Sequence, residues 1–110
     1  MADNSLLGQA KELERQVGGV LSAYDIEELP QQQRDLAAAL RNQLIDARLS
    51  VRDYEYAETH ADQLTAAKES KDFFRQVNDT IVKTSQFGMF GAVDVAQLTA
   101  RIDHIISQLT

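Results

Sequence analysis

Three observations predict an all-α fold, a small antiparallel bundle of four helices. The 110-residue chain holds one Pro and only five Gly, too few for a loop-rich or sandwich architecture. Its apolar residues recur at alternating steps of four and three, the helical period. From Gln31 to Phe87 no Gly or Pro interrupts the chain. The length suits a single domain over residues 1–110. An apolar fraction of 44% and a charged fraction of 25% exclude wholesale disorder.

The first helix is expected from Ser5 to Tyr24. Leu6, Ala10, Leu13, Val17, Val20 and Tyr24 form a narrow seam of the paired-helix type. Gly18-Gly19 sits inside it. The pair implies either a frayed or bent last turn or a close approach of another helix. Residues 25–30 connect to the next helix, with Pro30 suited to its first turn. Leu40, Leu44, Ala47, Val51, Tyr54, Glu58 and Ala61 then keep one rhythm, and Glu58 alone is out of character. A single helix of that length is rare in a small domain, so a break is expected. The pattern thins again after Leu64, and a break there would make five helices. Ser70 or Asp72 would then cap a helix bearing Phe73, Phe74, Val77, Ile81 and Val82. Phe87-Gly-Met-Phe-Gly91 reads as a loop. Asp94 with Gln97 resembles a capping box opening the last helix, whose seam is Val95, Leu98, Ile102, Ile105 and Leu109.

The charges suggest where the long stretch turns. Arg34, Arg41 and Arg48 recur every seven residues, and Glu55, Asp62 and Glu69 continue the same register. The two rows are symmetric about the Val51–Arg52 bond. A hairpin turning there would pair Arg48 with Glu55, Arg41 with Asp62 and Arg34 with Glu69, with Ser50 or Asp53 as cap. An unbroken helix crossing its copy in an antiparallel homodimer satisfies the same symmetry. The stretch Leu44-Ile-Asp-Ala47 and Arg52-Asp-Tyr-Glu-Tyr-Ala57 to Leu64 resembles the middle of a tetratricopeptide helix pair. Leu44, Asp53, Tyr54 and Ala57 match that pattern. Arg41, Ile45, Arg48 and Glu69 depart from it. The resemblance covers one repeat of about 30 residues, where solenoids usually need three. It implies a hairpin turning near Arg52.

No catalytic constellation emerges, and the expectation is a protein that is not an enzyme and holds no cofactor. The chain has no cysteine, which excludes disulfides, thiolate metal sites and cysteine nucleophiles. His60 and His104 lack the acidic residue three positions earlier that a di-metal bundle requires. Glu55, Glu58 and Asp62 would share a face of an unbroken helix, and His60 lies beside them in the sequence. They are the one candidate set for a divalent cation. The net charge of −6 opposes nucleic acid, and no apolar stretch nears the ~18 residues needed to span a membrane. Met1–Ser5 lacks the character of a secretion signal, so the expected location is the cytoplasm.

What remains is protein interaction. Phe87, Met89 and Phe90 either plug the end of the bundle or form an exposed site for a protein partner. Narrow seams imply apolar area completed by a partner or a second copy. The leading expectation is therefore a small adaptor, chaperone-like or regulatory module, binding through a helix groove or the Phe87–Phe90 loop. The alternative is an acidic inhibitor or nucleic-acid mimic that occupies a basic site on a target. Residues 1–30 carry six acids against two bases, and its acidic face would comprise Glu12, Glu14, Asp25, Glu27 and Glu28. A carboxylate-bound divalent metal is the third reading.

Overall fold

A computed structural model describes residues 5–109 and contains four α-helices. They are α1 (Leu6–Leu21), α2 (Gln31–Tyr56), α3 (His60–Gln86) and α4 (Ala92–Gln108), with one 3-10 turn at Ile26–Glu28. Among the described residues there is no strand. The reading of the leading segment as lacking a secretion signal rests mainly on residues 1–4, outside the described residues.

Ser5 caps α1 by accepting the Gly8 N–H at 3.0 Å. Of the expected seam, Ala10, Leu13 and Val17 are buried and Leu6, Val20 and Tyr24 are half-buried, while Leu21, outside that spacing, is buried in the last turn. The helix ends at Leu21, three residues before Tyr24, because Tyr24 is used elsewhere. Its hydroxyl donates to the Met89 carbonyl, tying the α1–α2 connection to the α3–α4 loop.

Gly18 and Gly19 are helical and exposed, and a methyl group built on either meets nothing within 4 Å. Neither a broken turn nor a close helix approach explains them. Gly18→Ala and Gly19→Ala are each expected to raise stability by about 1 kcal/mol, the helix-propensity difference. Gly88 is the opposite case, with φ of +83°. There Gly88→Ala should cost about 1–2 kcal/mol. Urea unfolding of the three variants checks both signs.

α2 and α3 form the central hairpin, and its turn is Ala57–Thr59, not Arg52. The buried seam explains why. Ala37, Leu40, Leu44, Ala47, Val51 and Tyr54 run straight through Arg52, so a turn there would break a continuous apolar face. The helix stops where Glu58 breaks the rhythm. Thr59 then caps α3 by accepting the Asp62 N–H at 3.1 Å, and Asp62 lies in the first turn, where a negative charge is favoured.

Three cross-links set the hairpin register. The Ser70 hydroxyl donates to the Ser50 hydroxyl at 3.0 Å, the Thr80 hydroxyl donates to Gln43 at 2.7 Å, and Gln33 donates to the Phe87 carbonyl at 2.6 Å. There is no break after Leu64. The apparent thinning there consists of small buried residues, Ala66, Ala67 and Ser70, and Ser70 meets Ser50 of α2. Ser50 and Ser70 are therefore interior hairpin residues rather than caps. Four helices, not five, make the bundle.

α3 ends in a hydrogen-bonded reversal. Gly88 N–H donates to the Ser85 carbonyl at 2.9 Å and Met89 N–H to the Thr84 carbonyl at 3.2 Å, the paired bonds of a glycine C-terminal cap. α4 starts at Ala92 with Gly91 as cap, so Asp94 supplies first-turn charge without capping through its side chain. Each helix packs antiparallel to the next and α4 closes on α1, which completes a ring around one core. The bundle measures 46 × 28 × 19 Å.

Candidate functional site

Phe87, Met89 and Phe90 part company in the structure. Met89 and Phe90 are buried, plugging the end of the bundle, while Phe87 stays 44% exposed. The loop is therefore not the exposed three-residue apolar patch that a partner site there requires. The glycine cap of α3 reverses the chain at Gly88, and Tyr24 and Gln33 then hold the Met89 and Phe87 carbonyls with the Met89 side chain in the core.

The arginine and acid rows do not face one another. With the turn at residues 57–59, Arg48, Arg41 and Arg34 lie out of register with Glu55, Asp62 and Glu69. Arg48 instead meets α1, its Nε 2.8 Å from a Glu14 carboxylate oxygen. Glu55 also serves α1, accepting the Leu7 N–H at 2.9 Å. Arg34 donates to Gln31 within its own helix. The antiparallel crossing of one unbroken helix at residue 52 fails for the same reason, since the helix ends at Tyr56.

The candidate cation set is divided by the turn. Glu55 belongs to α2, Glu58 to the turn, and His60 and Asp62 to α3. Among the described residues no group of three or more His, Asp or Glu is placed to hold a metal ion. The candidate acidic face is divided too. Glu14 is spent on Arg48 of α2, and Glu12 is hydrogen-bonded by Arg15 at 2.9 Å. The Arg15 hydrogen bond holds the Glu12 carboxyl below its ordinary range. Asp25, Glu27 and Glu28 lie on the connection outside α1.

Surface depressions flank α1 on two sides. Between α1 and α4 runs an open trough of about 940 Å³ lined by Gln9, Gln16, Gln97, Arg101, His104 and Gln108. Gln9 and Gln108 close one end through reciprocal amide hydrogen bonds of 3.1 and 2.9 Å. Its lining gives His104 no carboxylate or hydroxyl to work with. On the other flank, Glu14, Val17, Gly18, Arg41, Leu44 and Ile45 line a groove of about 280 Å³ between α1 and α2. The absent side chain of Gly18 keeps that groove open.

Ile45 leads from this groove onto the outer face of α2. Ile45, Leu49 and Tyr56 are exposed there at 38%, 36% and 72%. They are spaced four and seven residues apart, so they share one face of the helix. The other large exposed apolar residues are Leu64, Val82, Phe87 and Val93, and no two of them share such a spacing. This face escaped notice in the sequence because the inward seam of α2 dominates the pattern. The signal was Ile45 and Leu49, each directly following a seam residue or its flanking arginine.

No protein-family model matches this chain, and neither a curated protein nor a solved structure matches it. The tetratricopeptide-like residues accordingly stand on their own. Asp53 and Tyr54, which that pattern places at a turn, lie inside α2. No helix is long and apolar enough to cross a membrane among the described residues.

Proposed function

We propose that this protein is a non-enzymatic helical interaction module that engages a helix of another polypeptide through the outer face of α2. The observation that supports this reading is the stripe of Ile45, Leu49 and Tyr56, held exposed on a helix whose opposite face is already satisfied by the core. Such a face is recognised by apolar anchors at helical spacing. Burying the 38% of Ile45 and 36% of Leu49 still exposed would contribute about 0.5–1 kcal/mol per side chain before the losses of association. The α1–α2 groove extends the same surface toward Gly18.

The test places a photo-crosslinking residue at Leu49 of the full chain in living cells. Position 49 is expected to trap a discrete polypeptide, a second copy of this chain included. The same residue at exposed Val93 on α4 should not trap it. The double variant Ile45→Asp with Leu49→Asp should keep its cooperative unfolding and lose the interaction. Equal trapping at both positions, or none at 49, rules the reading out.

A further inference from the structure

The outer face of α2 carries more order than its apolar residues alone. Resting on its reading as an interaction surface, we propose that its partner is α2 of a second copy of this chain, paired in parallel and in register. The seam is Asn42, Ile45, Leu49, Arg52 and Tyr56, again at alternating steps of three and four. All five are exposed. It is separate from the inward seam of Leu40, Leu44, Ala47, Val51 and Tyr54.

The flanks of this seam are self-complementary. Arg41 and Arg48 lie along one edge, and Asp46 and Asp53 along the other. In a parallel two-stranded coil, a residue on the first edge faces the partner residue five positions further along on the second. Arg41 then meets Asp46 of the second copy, and Arg48 meets its Asp53. Twofold symmetry repeats both pairs. Antiparallel pairing would bring like edges together and set arginine against arginine. The seven-residue spacing of Arg41 and Arg48, which the internal hairpin does not use, is accounted for in this way.

Three details agree. Asn42 occupies a core position where a buried Asn meets its own copy only in a parallel, in-register pair, and there it selects two strands. Arg48 carries five N–H donors, and Glu14 stands 2.8 Å from its Nε, so a second acid can still be met. Arg52 can lay its aliphatic stem along the seam while its head group stays at the edge, 3.8 Å from Asp53. The seam is short, but α2 is already folded by the bundle, so association does not carry the entropy of forming a helix. Leu49 and Ile45 in their respective core positions favour higher-order coils in isolated helices. Here α1 stands against the Arg48 edge and Asn42 favours two strands.

Light scattering on the full chain should give a mass rising from 12.3 kDa toward twice that value between about 1 μM and 1 mM. The chain lacks cysteine, so single substitutions report orientation cleanly. Asn42→Cys and Tyr56→Cys should each form a disulfide-linked dimer on mild oxidation. In an antiparallel pair centred on Leu49 each cysteine would stand about 21 Å from its counterpart, at 1.5 Å per residue. Arg41→Asp should weaken self-association about tenfold, because two symmetric attractions become repulsions. Adding Asp46→Arg should restore it. A mass of 12.3 kDa throughout, a mass of four copies, or a dimer that traps neither cysteine overturns the proposal. If the mass stays monomeric while position 49 traps a different polypeptide, self-pairing fails and the interaction face stands. If position 49 traps nothing, both fail.

Discussion

Phe74→Ala is expected to lower the unfolding free energy by about 3–5 kcal/mol. Phe74 is the largest fully buried side chain in the bundle. It sits on α3, which packs against both α2 and α4. Truncation removes the transfer energy of the ring and leaves a cavity that three packed helices cannot readily close. Domains of this size hold roughly 5–15 kcal/mol in total, so the variant loses about a fifth or more of its stability. A fall in melting temperature of roughly 15 °C should accompany it. Calorimetry checks both figures. A change under 1 kcal/mol would mean that the core is not packed around α3 as described.

Met89→Ala should cost about 2–5 kcal/mol, while Phe87→Ala, two residues earlier, should cost about 1 kcal/mol or less. The contrast follows from placement. The Met89 side chain is buried, its N–H donates to Thr84, and its carbonyl accepts the Tyr24 hydroxyl. Removing the side chain leaves a cavity beneath the joint between the α1–α2 connection and the α3–α4 loop, while these backbone bonds are retained. Phe87 is half in solvent, and what it contributes to the hairpin is its backbone carbonyl, held by Gln33, which the substitution retains. Denaturant titrations of the two variants side by side decide the matter. Equal costs would contradict the plugged bundle end. A loss of partner binding on Phe90→Ala would report on folding, because Phe90 is buried as well.

α2 has one buried and one exposed apolar face. Its inward seam holds the bundle together, and its outward stripe is the most organised exposed apolar feature among the described residues. Under the proposed self-pairing, the arginines at seven-residue spacing have their partner row on the second copy. Arg48, one-third exposed, meets Glu14 of α1 through its Nε.

Much of the fold is legible in the residues themselves. The seams of the first and last helices, the cap at Ser5, the end of α3 at Gln86 and the glycine loop after it all follow from local chemistry. Helical period, capping and glycine conformation depend on neighbours within a few residues, and those neighbours are written in order along the chain. The turn of the central hairpin was legible too, in Glu58 and in Thr59 followed by Asp62. The stronger charge symmetry about Arg52 obscured it. Exposed ion pairs contribute only a few tenths of a kcal/mol, whereas moving the turn to Arg52 would interrupt a seam of six buried residues, so burial prevails over charge pattern.

The fate of Phe87, Met89 and Phe90 was not legible in this way. Three apolar residues in a glycine loop look alike in sequence. Which of them is buried depends on Tyr24 and Gln33, more than fifty residues away, and on where the reversal at Gly88 aims the chain. The same holds for the outer face of α2. Ile45 and Leu49 read as part of a helical pattern in either case. They are exposed because α1 and α3 occupy the other sides of α2, and side-chain burial is a property of helix arrangement that no single segment encodes.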